Sequence, residues 1–417
     1  MKPLRWTAAL LLALAVAVPA LTDDKTKDAG FVPMFNGKDL AGWVNVNCAP
    51  DTFFVKDNEI ITTGKPTGYL RTEKQYENFI AEFDWMHVPP EPGAVGNSGF
   101  FVWADPIPAV GTGYTRGIEV QVLVNLTYKN KKGEITATSQ GDLFSIHGAT
   151  CVPERPHPDG WARCLPSENH AKGEKEWNHY RVEGYHGRIT LAVNGHVVSG
   201  VSKCNPRKGY LALESEGSEC HFKNLKIKEL PSTDPKKEEI ADEAQGHRPL
   251  YFGDLNGWKA DDEAKTHWQP KDTVLHYDGK GGPLATEKEI GNAEYVVDFR
   301  FPVKNAKPCT LCFRANDKGK LKAYFDPLLG TYSVEKPTGK FSTSVKDPNV
   351  KTSGQWNRLV VTVKDGREVG RDLTVTLNGK ELGHERGVSL GLAEKGRLVL
   401  EPEGEMDFAN LFVRELK

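Results

Sequence analysis

The sequence predicts an all-β protein made of sandwiches or barrels, and three observations support this fold class. Gly and Pro are abundant, at 41 and 26 of the 417 residues, and both residues favour turns. Short segments with alternating apolar and polar residues recur between those turns, as in residues 79–85 and 222–227. Helical periodicity is almost absent. Because side chains alternate between the two faces of a strand, this pattern indicates half-buried strands throughout the chain.

The first 20 residues have the pattern of a secretory signal. Lys2 and Arg5 precede an apolar run over residues 8–18, and Val18-Pro19-Ala20 resembles a cleavage site with small residues. The run is shorter than the ~20 apolar residues that cross a bilayer. We therefore expect residues 1–20 to be a signal peptide, and the protein to be periplasmic or extracellular without insertion into a membrane.

The charge of the chain argues against a nucleic-acid partner. The formal net charge is −2, the sequence pI is about 6.7, and Lys and Arg form no basic stripe. The length beyond the signal suggests about two domains. The sequence leaves the oligomeric state open.

Two related copies of one unit follow the signal. Each has an opening with a Gly-Trp pair, a strand that begins near a Thr-Glu-Lys triplet, a Trp-Asn strand that ends at an Asn-Gly turn, and a closing strand with Glu-x-Glu-Gly. We predict copy one over residues 30–230 and a divergent copy two over residues 249–417, which is structural or carbohydrate-binding. Residues 231–248 are charged and rich in Pro at their ends, which predicts a linker.

Copy two is shorter than copy one in the middle of the unit. The spacing between the Gly-Trp pair and the Trp-Asn pair is roughly 36 residues smaller in copy two. The missing part corresponds to residues within 129–175 of copy one, which are dense in His, Arg, Cys and Trp. Copy one is therefore the copy expected to carry the chemistry.

The seven cysteines predict disulfides if the protein is exported, because exported proteins fold in oxidising compartments. A bond between Cys151 and Cys164 would close a short loop and stabilise the fold by ~3 kcal/mol. A bond between Cys204 and Cys220 would join two strands that we expect to be neighbours. The sequence alone does not fix the connectivity.

Several motifs of copy one together resemble the 3-keto-disaccharide hydrolase domain family, whose members are also described as 3-keto-α-glucoside 1,2-lyases and 3-keto-2-hydroxyglucal hydratases. The motifs are FNGKDLAGW at 35–43, TEKQYENF at 72–79, NSGFF at 97–101, GIEVQVL at 117–123 and ESEG at 214–217. The resemblance covers copy one nearly end to end and copy two more loosely. It implies two tandem concanavalin-like jelly-roll β-sandwiches and a carbohydrate partner, an oxidised glycoside.

The activity that this resemblance implies acts on a glycoside with a ketone at C3. The ketone acidifies the hydrogen on C2, a base removes it, the enolate expels the anomeric oxygen, and water later adds to the enone. Such a site needs a general base, a group that stabilises the enolate oxygen, and an acid for the leaving group.

The GIEVQVL strand offers a base at an unusual position. Alternation sends Ile118 and Val120 to the core and Glu119 and Gln121 to the opposite face. The corresponding stretch of copy two, residues 321–330, has no Glu-x-Gln pattern. A polar pocket in copy one alone would explain this difference.

The remaining site residues are selected by charge and by their absence from copy two. Glu119 or His147 is the expected base, and Arg71, Arg163 or Arg155 is the expected enolate stabiliser. Where family members commonly have an arginine after the NSG strand, this chain has Trp103, although copy two keeps Arg314 there. The residues predicted to bind the sugar are Gln121, Trp103, Trp161, Arg155 and Glu214.

The sequence leaves a metal cofactor and two other functions open. Asp142, His147, His157 and Glu119 are suitable ligands for a divalent metal, but their spacing matches no compact metal site. The fold serves lectins as readily as enzymes, so a non-catalytic carbohydrate-binding protein is one alternative. A glycosidase that uses Glu119 and Glu214 as its two carboxylates is the other.

Overall fold

The computed structural model of the protein describes residues 29–126, 132–133, 141–346, 349–352, 354–364, 371–388 and 391–417. The predicted signal peptide and most of residues 127–140 lie outside this part of the chain. Almost all regular structure in the described part is β-strand, and the fold is two tandem concanavalin-like jelly-roll β-sandwiches, as predicted. No helix among the described residues is long and apolar enough to cross a membrane.

Copy one is a sandwich of two antiparallel sheets. Its strands are β1 (Val32–Pro33), β2 (Trp43–Asn45), β3 (Phe53–Lys56), β4 (Glu59–Thr62), β5 (Gly68–Thr72), β6 (Phe79–Val88), β7 (Gly96–Ala104), β8 (Gly117–Val124), β9 (Leu143–Ile146), β10 (Thr150–Pro153), β11 (Arg163–Cys164), β12 (Asn178–Tyr185), β13 (Arg188–Val193), β14 (His196–Asn205), β15 (Tyr210–Ser215) and β16 (Glu219–Glu229). The front sheet has the order β11-β9-β8-β7-β15-β5-β2. The back sheet has the order β10-β14-β13-β12-β6-β16-β4-β3, with β1 paired to β16.

Copy two repeats this architecture. Its elements are β17 (Arg248–Pro249), α1 (Asp262–His267), β18 (Trp268–Lys271), β19 (Val274–Tyr277), β20 (Leu284–Ala285), β21 (Ala293–Arg300), β22 (Cys309–Asn316), β23 (Gly319–Asp326), β24 (Thr331–Lys336), β25 (Gly339–Lys346), β26 (Trp356–Lys364), β27 (Arg371–Leu377), β28 (Lys380–Val388), β29 (Arg397–Pro402) and β30 (Met406–Glu415). Its front sheet has the order β20-β29-β22-β23-β24-β25. Its back sheet has the order β18-β19-β30-β21-β26-β27-β28, with β17 paired to β30.

Alternating side chains fill the core of each sandwich. Along β6, Phe79, Phe83 and Trp85 are fully buried between the sheets, whereas Glu82 and Asp84 lie on the outer face. Each buried aromatic or aliphatic side chain stabilises the fold by about 1.5–3 kcal/mol. This period-two burial explains why the sequence pattern predicted strands correctly.

The back sheet of copy two packs against the front sheet of copy one. Val296 on β21 and Phe412 on β30 form one apolar cluster with Tyr69, Phe101 and Tyr210 of copy one. The two sandwiches are therefore stacked front to back. This stacking covers part of the face on which Glu119 lies.

The linker follows the surface of copy one. Thr233 donates a backbone hydrogen bond to Glu77 at 2.7 Å, Arg207 Nε donates to Glu239 Oε2 at 3.0 Å, and a short 3₁₀ helix spans Lys237–Glu239. Ala241 is buried. The segment between the copies is thus bonded to copy one along much of its length.

The predicted disulfides are wrong for this structure, in which all seven cysteines are free. Cys204 lies on β14 and Cys220 on β16, and β13, β12 and β6 separate these strands in the back sheet. Cys151 lies on β10 of the back sheet, whereas Cys164 lies on β11 of the front sheet. Closeness in sequence therefore did not correspond to pairing in the fold.

Candidate functional site

The faces of β8 are as the alternation predicted. Ile118 and Val120 lie in the core, and Glu119 and Gln121 lie on the outer face of the front sheet. Both polar residues are nevertheless buried, at 5% exposure each. They are covered because copy two and residues 105–116, which we call the cover loop, lie over this face.

Three glutamates meet on this face and form what we call the carboxyl cluster: Glu119, Glu214 and Glu216. Gly99 makes room for two of them, because a Cβ atom at residue 99 would lie 2.8 Å from Glu119 Oε1 and 2.9 Å from Glu214 Oε2. The two carboxyl groups therefore face each other across the backbone of β7. Any larger residue at position 99 would force them apart.

Glu216 connects the cluster to the cover loop and to β7. Its carboxylate accepts hydrogen bonds from the Tyr114 hydroxyl at 2.7 Å and from the Asn97 side-chain amide. Asn97 Oδ1 in turn accepts a hydrogen bond from Gln121 Nε2 at 2.9 Å. Gln121, predicted to bind sugar, is thus engaged in orienting Asn97 in this closed arrangement.

Burial raises the pKa of every carboxyl in the cluster. For Glu119, burial is the largest cause, the charge of Glu216 adds to it, and the charge of Arg163 opposes it. For Glu214, burial comes first, followed by repulsion from Glu119 and Glu216. Neither oxygen of Glu214 meets a hydrogen-bond donor among the described residues. Raised pKa values favour the protonated form, in which a carboxyl group can act as an acid.

Arg163 is the cation that acts on Glu119. Its guanidinium donates to Asp142 Oδ2 at 3.2 Å and lies 4.3 Å from the centre of the Phe144 ring. Burial raises the pKa of Asp142 to about 7, and Arg163 opposes that rise. Because Arg163 lowers the pKa of Glu119, it favours Glu119 as the member of the cluster that ionises.

An aromatic surface adjoins Arg163. The Trp161 ring stacks on His157 with a centroid distance of 4.2 Å, and Arg163 lies 5.9 Å from the Trp161 ring centre. Trp161 is 37% exposed, whereas His157 is buried. These residues belong to the segment that copy two lacks. Trp161 is therefore placed where a sugar ring could stack beside the cluster.

His147 lies one side chain away from the cluster. Its ring stacks on Tyr114 with a centroid distance of 5.7 Å and an interplanar angle of 6°. It also lines a cavity of about 450 Å³ between the cover loop, Asp242 of the linker and Arg358 of copy two. Partial burial lowers the pKa of His147, so its imidazole is neutral near pH 7. His147 thus faces an open space beside the cover loop.

Trp103 was predicted to bind sugar, and the structure shows that this is wrong. The side chain is fully buried in the core of copy one, and its indole nitrogen donates to the Glu77 carbonyl at 2.8 Å. The reason is a β-bulge at residue 103, where φ is +56°. The bulge turns the side chain from the outer face into the core.

Two of the predicted arginines lie outside the cluster. Arg71 is on the same face, but β7 and β15 separate its strand from β8, and it stacks on Tyr210 while donating to the Pro106 carbonyl at 3.3 Å. Arg155 is exposed and donates to the Leu165 carbonyl at 3.0 Å. Arg71 holds the start of the cover loop, and Arg155 holds the segment that precedes the site.

Sequence reasoning missed Glu216, Tyr114 and Asn97. Copy two has Glu403 at the place of Glu216, so a comparison of the two copies does not single out Glu216. The signal was the spacing of Glu214 and Glu216 by two residues, which puts both on one face of a strand.

The cross-strand register shows how far copy two differs at the cluster. In copy one, Glu119 is paired with Phe101 on the neighbouring strand. In copy two, Cys312 corresponds to Phe101 and is paired with Lys322. Lys322 therefore occupies the position of Glu119. Glu401, which corresponds to Glu214, forms an ion pair with Lys320 at 2.5 Å. Copy two therefore replaces the carboxyl cluster with compensated charges.

A metal site was left open by the sequence, with Glu119, Asp142, His147 and His157 as its candidate ligands. Across the described residues, no group of three or more His, Cys, Asp or Glu side chains is arranged to hold a metal ion. Tyr114 separates the ring of His147 from the carboxyl cluster. The four residues therefore do not form one ligand set in this arrangement.

Solved structures with similar folds include carbohydrate-related proteins. A candidate glycosyl hydrolase from Parabacteroides distasonis ATCC 8503 is 23% identical, with a TM-score of 0.38 over 51% of this chain and 99% of that one. The carbohydrate-binding module CBM66 from Bacillus subtilis is 11% identical, with a TM-score of 0.32 over 45% and 95%. The exoplasmic/lumenal domain of VIP36, in its Ca²⁺/Man-bound form, is 8% identical, with a TM-score of 0.34 over 50% and 93%.

No curated protein matches the sequence. The family described as 3-keto-alpha-glucoside-1,2-lyase-like domain matches it twice, over residues 30–228 and 249–414. These two regions are the two sandwiches, and together they account for most of the chain. The protein therefore belongs to the 3-keto-alpha-glucoside-1,2-lyase-like domain family, as two tandem copies of a carbohydrate-active domain.

Proposed function

We propose that copy one cleaves 3-keto-glycosides by elimination and hydration, with the carboxyl cluster as its catalytic centre. The observation that carries this proposal is the burial of Glu119, Glu214 and Glu216 together beside one arginine. Burying carboxyl groups without matching cations costs stability. Titratable groups with such strongly perturbed pKa values are typical of functional sites.

The chemistry assigns a role to each group around the cluster. Ionised Glu119 takes the proton from C2, and the C–H electrons form the enolate of the C3 ketone. Arg163 stabilises the negative enolate oxygen. The C1–O bond then breaks to give a C1=C2 double bond, and protonated Glu214 gives its proton to the departing oxygen. Addition of water across the double bond releases the 3-keto sugar.

Access to the cluster requires the cover loop to move. The carboxyl groups are buried, and a cavity of about 450 Å³ that His147 lines adjoins the cover loop. A volume of that size is within the ~300–1,000 Å³ usual for ligand pockets. His147 is the alternative base, because it faces this cavity and stacks on the residue that holds Glu216.

A two-carboxylate glycosidase is the second candidate, and one observation favours it. Glu119 and Glu214 face each other across Gly99 at a separation below the ~6.5–9.5 Å of inverting enzymes. In that mechanism one carboxylate attacks C1 and the other acts as acid. The raised pKa values do not separate the two mechanisms, because each needs Glu119 ionised and Glu214 protonated.

The test compares a 3-keto-glucoside with its unoxidised parent, with and without EDTA. We expect wild type to release the aglycone from the ketone alone, and Glu119→Gln to lower kcat by about 10²–10⁴-fold. Lys322→Gln, at the matching position of copy two, is the control and should keep full activity.

Three results would support a different function or mechanism. Turnover of the unoxidised parent would support the glycosidase. Retention on a sugar column without turnover of either substrate would refute the enzymatic proposal in favour of a binding protein. Loss of activity in EDTA would show that a divalent metal takes part.

Export is part of the proposal, and the leader-like residues 1–20 support it. N-terminal sequencing of protein recovered from outside the cytoplasm should then begin at Leu21. Recovery of the protein with Met1 intact from the cytoplasm alone would contradict export.

A further inference from the structure

At three corresponding positions, the back sheets of the two copies carry different types of residue. In each copy, one residue of β6 or β21 is paired across the sheet with one residue on each of the two neighbouring strands. In copy one the three residues are Glu82, Arg181 and Lys226. In copy two they are Val296, Val360 and Phe412. A charged surface has thus become an apolar one.

The charges of copy one are compensated and face outward. Arg181 lies 3.5 Å and Lys226 3.3 Å from the Glu82 carboxylate. In copy two the apolar replacements are covered by the front sheet of copy one, where Val296 and Phe412 contact Tyr69 and its neighbours. Placing charged groups under that cover would cost stability. The exchange of residue types therefore fits a surface specialised for covering copy one.

Beside this apolar surface, three polar residues of copy two form what we call the clamp: Asp298, Arg358 and Asn410. Arg358 binds Asp298 through two hydrogen bonds of 2.7 and 2.8 Å, and Asn410 donates to Asp298 at 2.7 Å. Asp298 is fully buried. The three side chains of the clamp therefore hold one another in place through hydrogen bonds.

The clamp binds the backbone of the cover loop through four hydrogen bonds. Asp298 accepts one from the residue 111 amide at 2.8 Å, and Arg358 donates to the residue 108 carbonyl at 2.8 Å. Asn410 donates to the carbonyls of residues 109 and 112 at 2.9 and 3.0 Å. These bonds fix the loop whatever its side chains are.

An equivalent triad exists in copy one, with His179 in the place of Arg358, and no described loop is bonded to it. Asp84 accepts hydrogen bonds from His179 at 2.7 Å and from Asn224 at 2.6 Å. The His179 side chain is 43% exposed. Copy one therefore provides a natural control, in which an equivalent set of residues faces solvent.

The cover loop connects the clamp to the carboxyl cluster. Tyr114 follows the clamped residues and donates to Glu216 at 2.7 Å, and its ring stacks on His147. Gly111 lies so close to copy two that an added Cβ would be 2.1 Å from the Trp356 ring. Only glycine therefore fits at residue 111 in this arrangement.

We propose that copy two is a built-in cap whose clamp positions the cover loop over the carboxyl cluster and keeps water out of it. Asp298, Arg358 and Asn410 are positioning residues, since they act on the cluster through the loop and Tyr114. Copy two thus has a role in the site of copy one, and the kinetic part of the test rests on the function proposed above.

The test is Asn410→Gly in the full chain, with Asn224→Gly as the matched control. Both residues have a positive φ, of 47° and 54°, so Gly fits both backbones and only the side chain is lost. Arg358→His is a second variant, because it restores the residue that copy one has at that position. Urea unfolding shows that each variant is folded before the other measurements.

Two readouts follow each variant. Backbone hydrogen exchange over residues 108–114 should become faster in Asn410→Gly and Arg358→His and stay unchanged in Asn224→Gly. With a 3-keto-glucoside, kcat/KM should fall about 10–100-fold. The acidic limb of its pH profile should move to lower pH, because water that enters the cluster lowers the raised pKa of Glu119.

The outcomes separate the two proposals. Folded Asn410→Gly with the exchange and pH profile of wild type overturns the cap, as does an equal effect of Asn224→Gly. If wild type turns over no glycoside but loop exchange still depends on Asn410 alone, the proposed function fails and the cap stands.

Discussion

Replacing Asp142 by Asn should make the protein more stable at pH 8 and leave its stability at pH 4 almost unchanged. In the folded state burial raises the pKa of Asp142 from 3.8 to about 7, with Arg163 opposing that rise. Near pH 4 the folded carboxyl is protonated and the unfolded one is about half ionised, which changes stability by less than ~1 kcal/mol. Between pH 4 and 7 the unfolded chain loses that proton first, so the wild-type protein loses stability as the pH rises.

The size of the effect follows from the two pKa values. Each pH unit corresponds to about 1.4 kcal/mol, so Asp142 opposes folding by up to about 4 kcal/mol above pH 7. Asn keeps an oxygen that can accept the hydrogen bond from Arg163, but it loses the charge that Asp142 presents to the guanidinium 3.2 Å away. The net gain should be about 1–3 kcal/mol.

Urea unfolding of both proteins at pH 4, 6 and 8 measures this gain. Asp84→Asn is a control of opposite sign, because hydrogen bonds from His179 and Asn224 outweigh burial and lower the pKa of Asp84. Asp84→Asn should therefore lose stability at pH 8. If Asp142→Asn is less stable than wild type at pH 8, or equally stable at every pH, the carboxyl is not buried as described.

Three further predictions concern the site, the interface and the thiols. Gly99→Ala should lower turnover of a 3-keto-glucoside by about tenfold or more, because the new methyl group displaces the Glu119 and Glu214 carboxyls. Thr310→Ala, at the matching position of copy two, is the control. Normal activity of the Gly99 variant would contradict the packing around residue 99. Val296→Glu should destabilise the protein by about 1–3 kcal/mol in urea unfolding, since it buries a charge, and an unchanged midpoint would argue against the stacked arrangement. Alkylation with mass spectrometry should find seven free thiols in the unfolded protein, and any intact disulfide would contradict this.

The sequence predicted the fold and the faces of individual strands well, because both depend on local alternation. For that reason Glu119 and Ile118, which are adjacent in sequence, lie on opposite faces of β8. Trp103 was misplaced because a single residue with positive φ reverses the alternation, and a bulge has no clear sequence signal. Arg71 was expected to stabilise the enolate, but the order of strands in a sheet is not encoded locally. Its distance from the cluster could not be predicted.

The cover over the site could have been inferred from a comparison of the two copies. Val360 stands where copy one has Arg181, and Val296 stands where copy one has Glu82. An apolar residue on the outer face of a strand indicates that something packs against it. Only the fold, however, shows that the packing partner is the front face of copy one.

The linker that runs along copy one has a consequence for how the protein behaves on dilution. Because residues 231–247 join the two sandwiches covalently, their docking is an intramolecular event with an effective concentration on the order of millimolar. Two separate chains with the same interface would come apart in a dilute solution. In this protein the docking of the two copies does not depend on the protein concentration, because both copies belong to one chain.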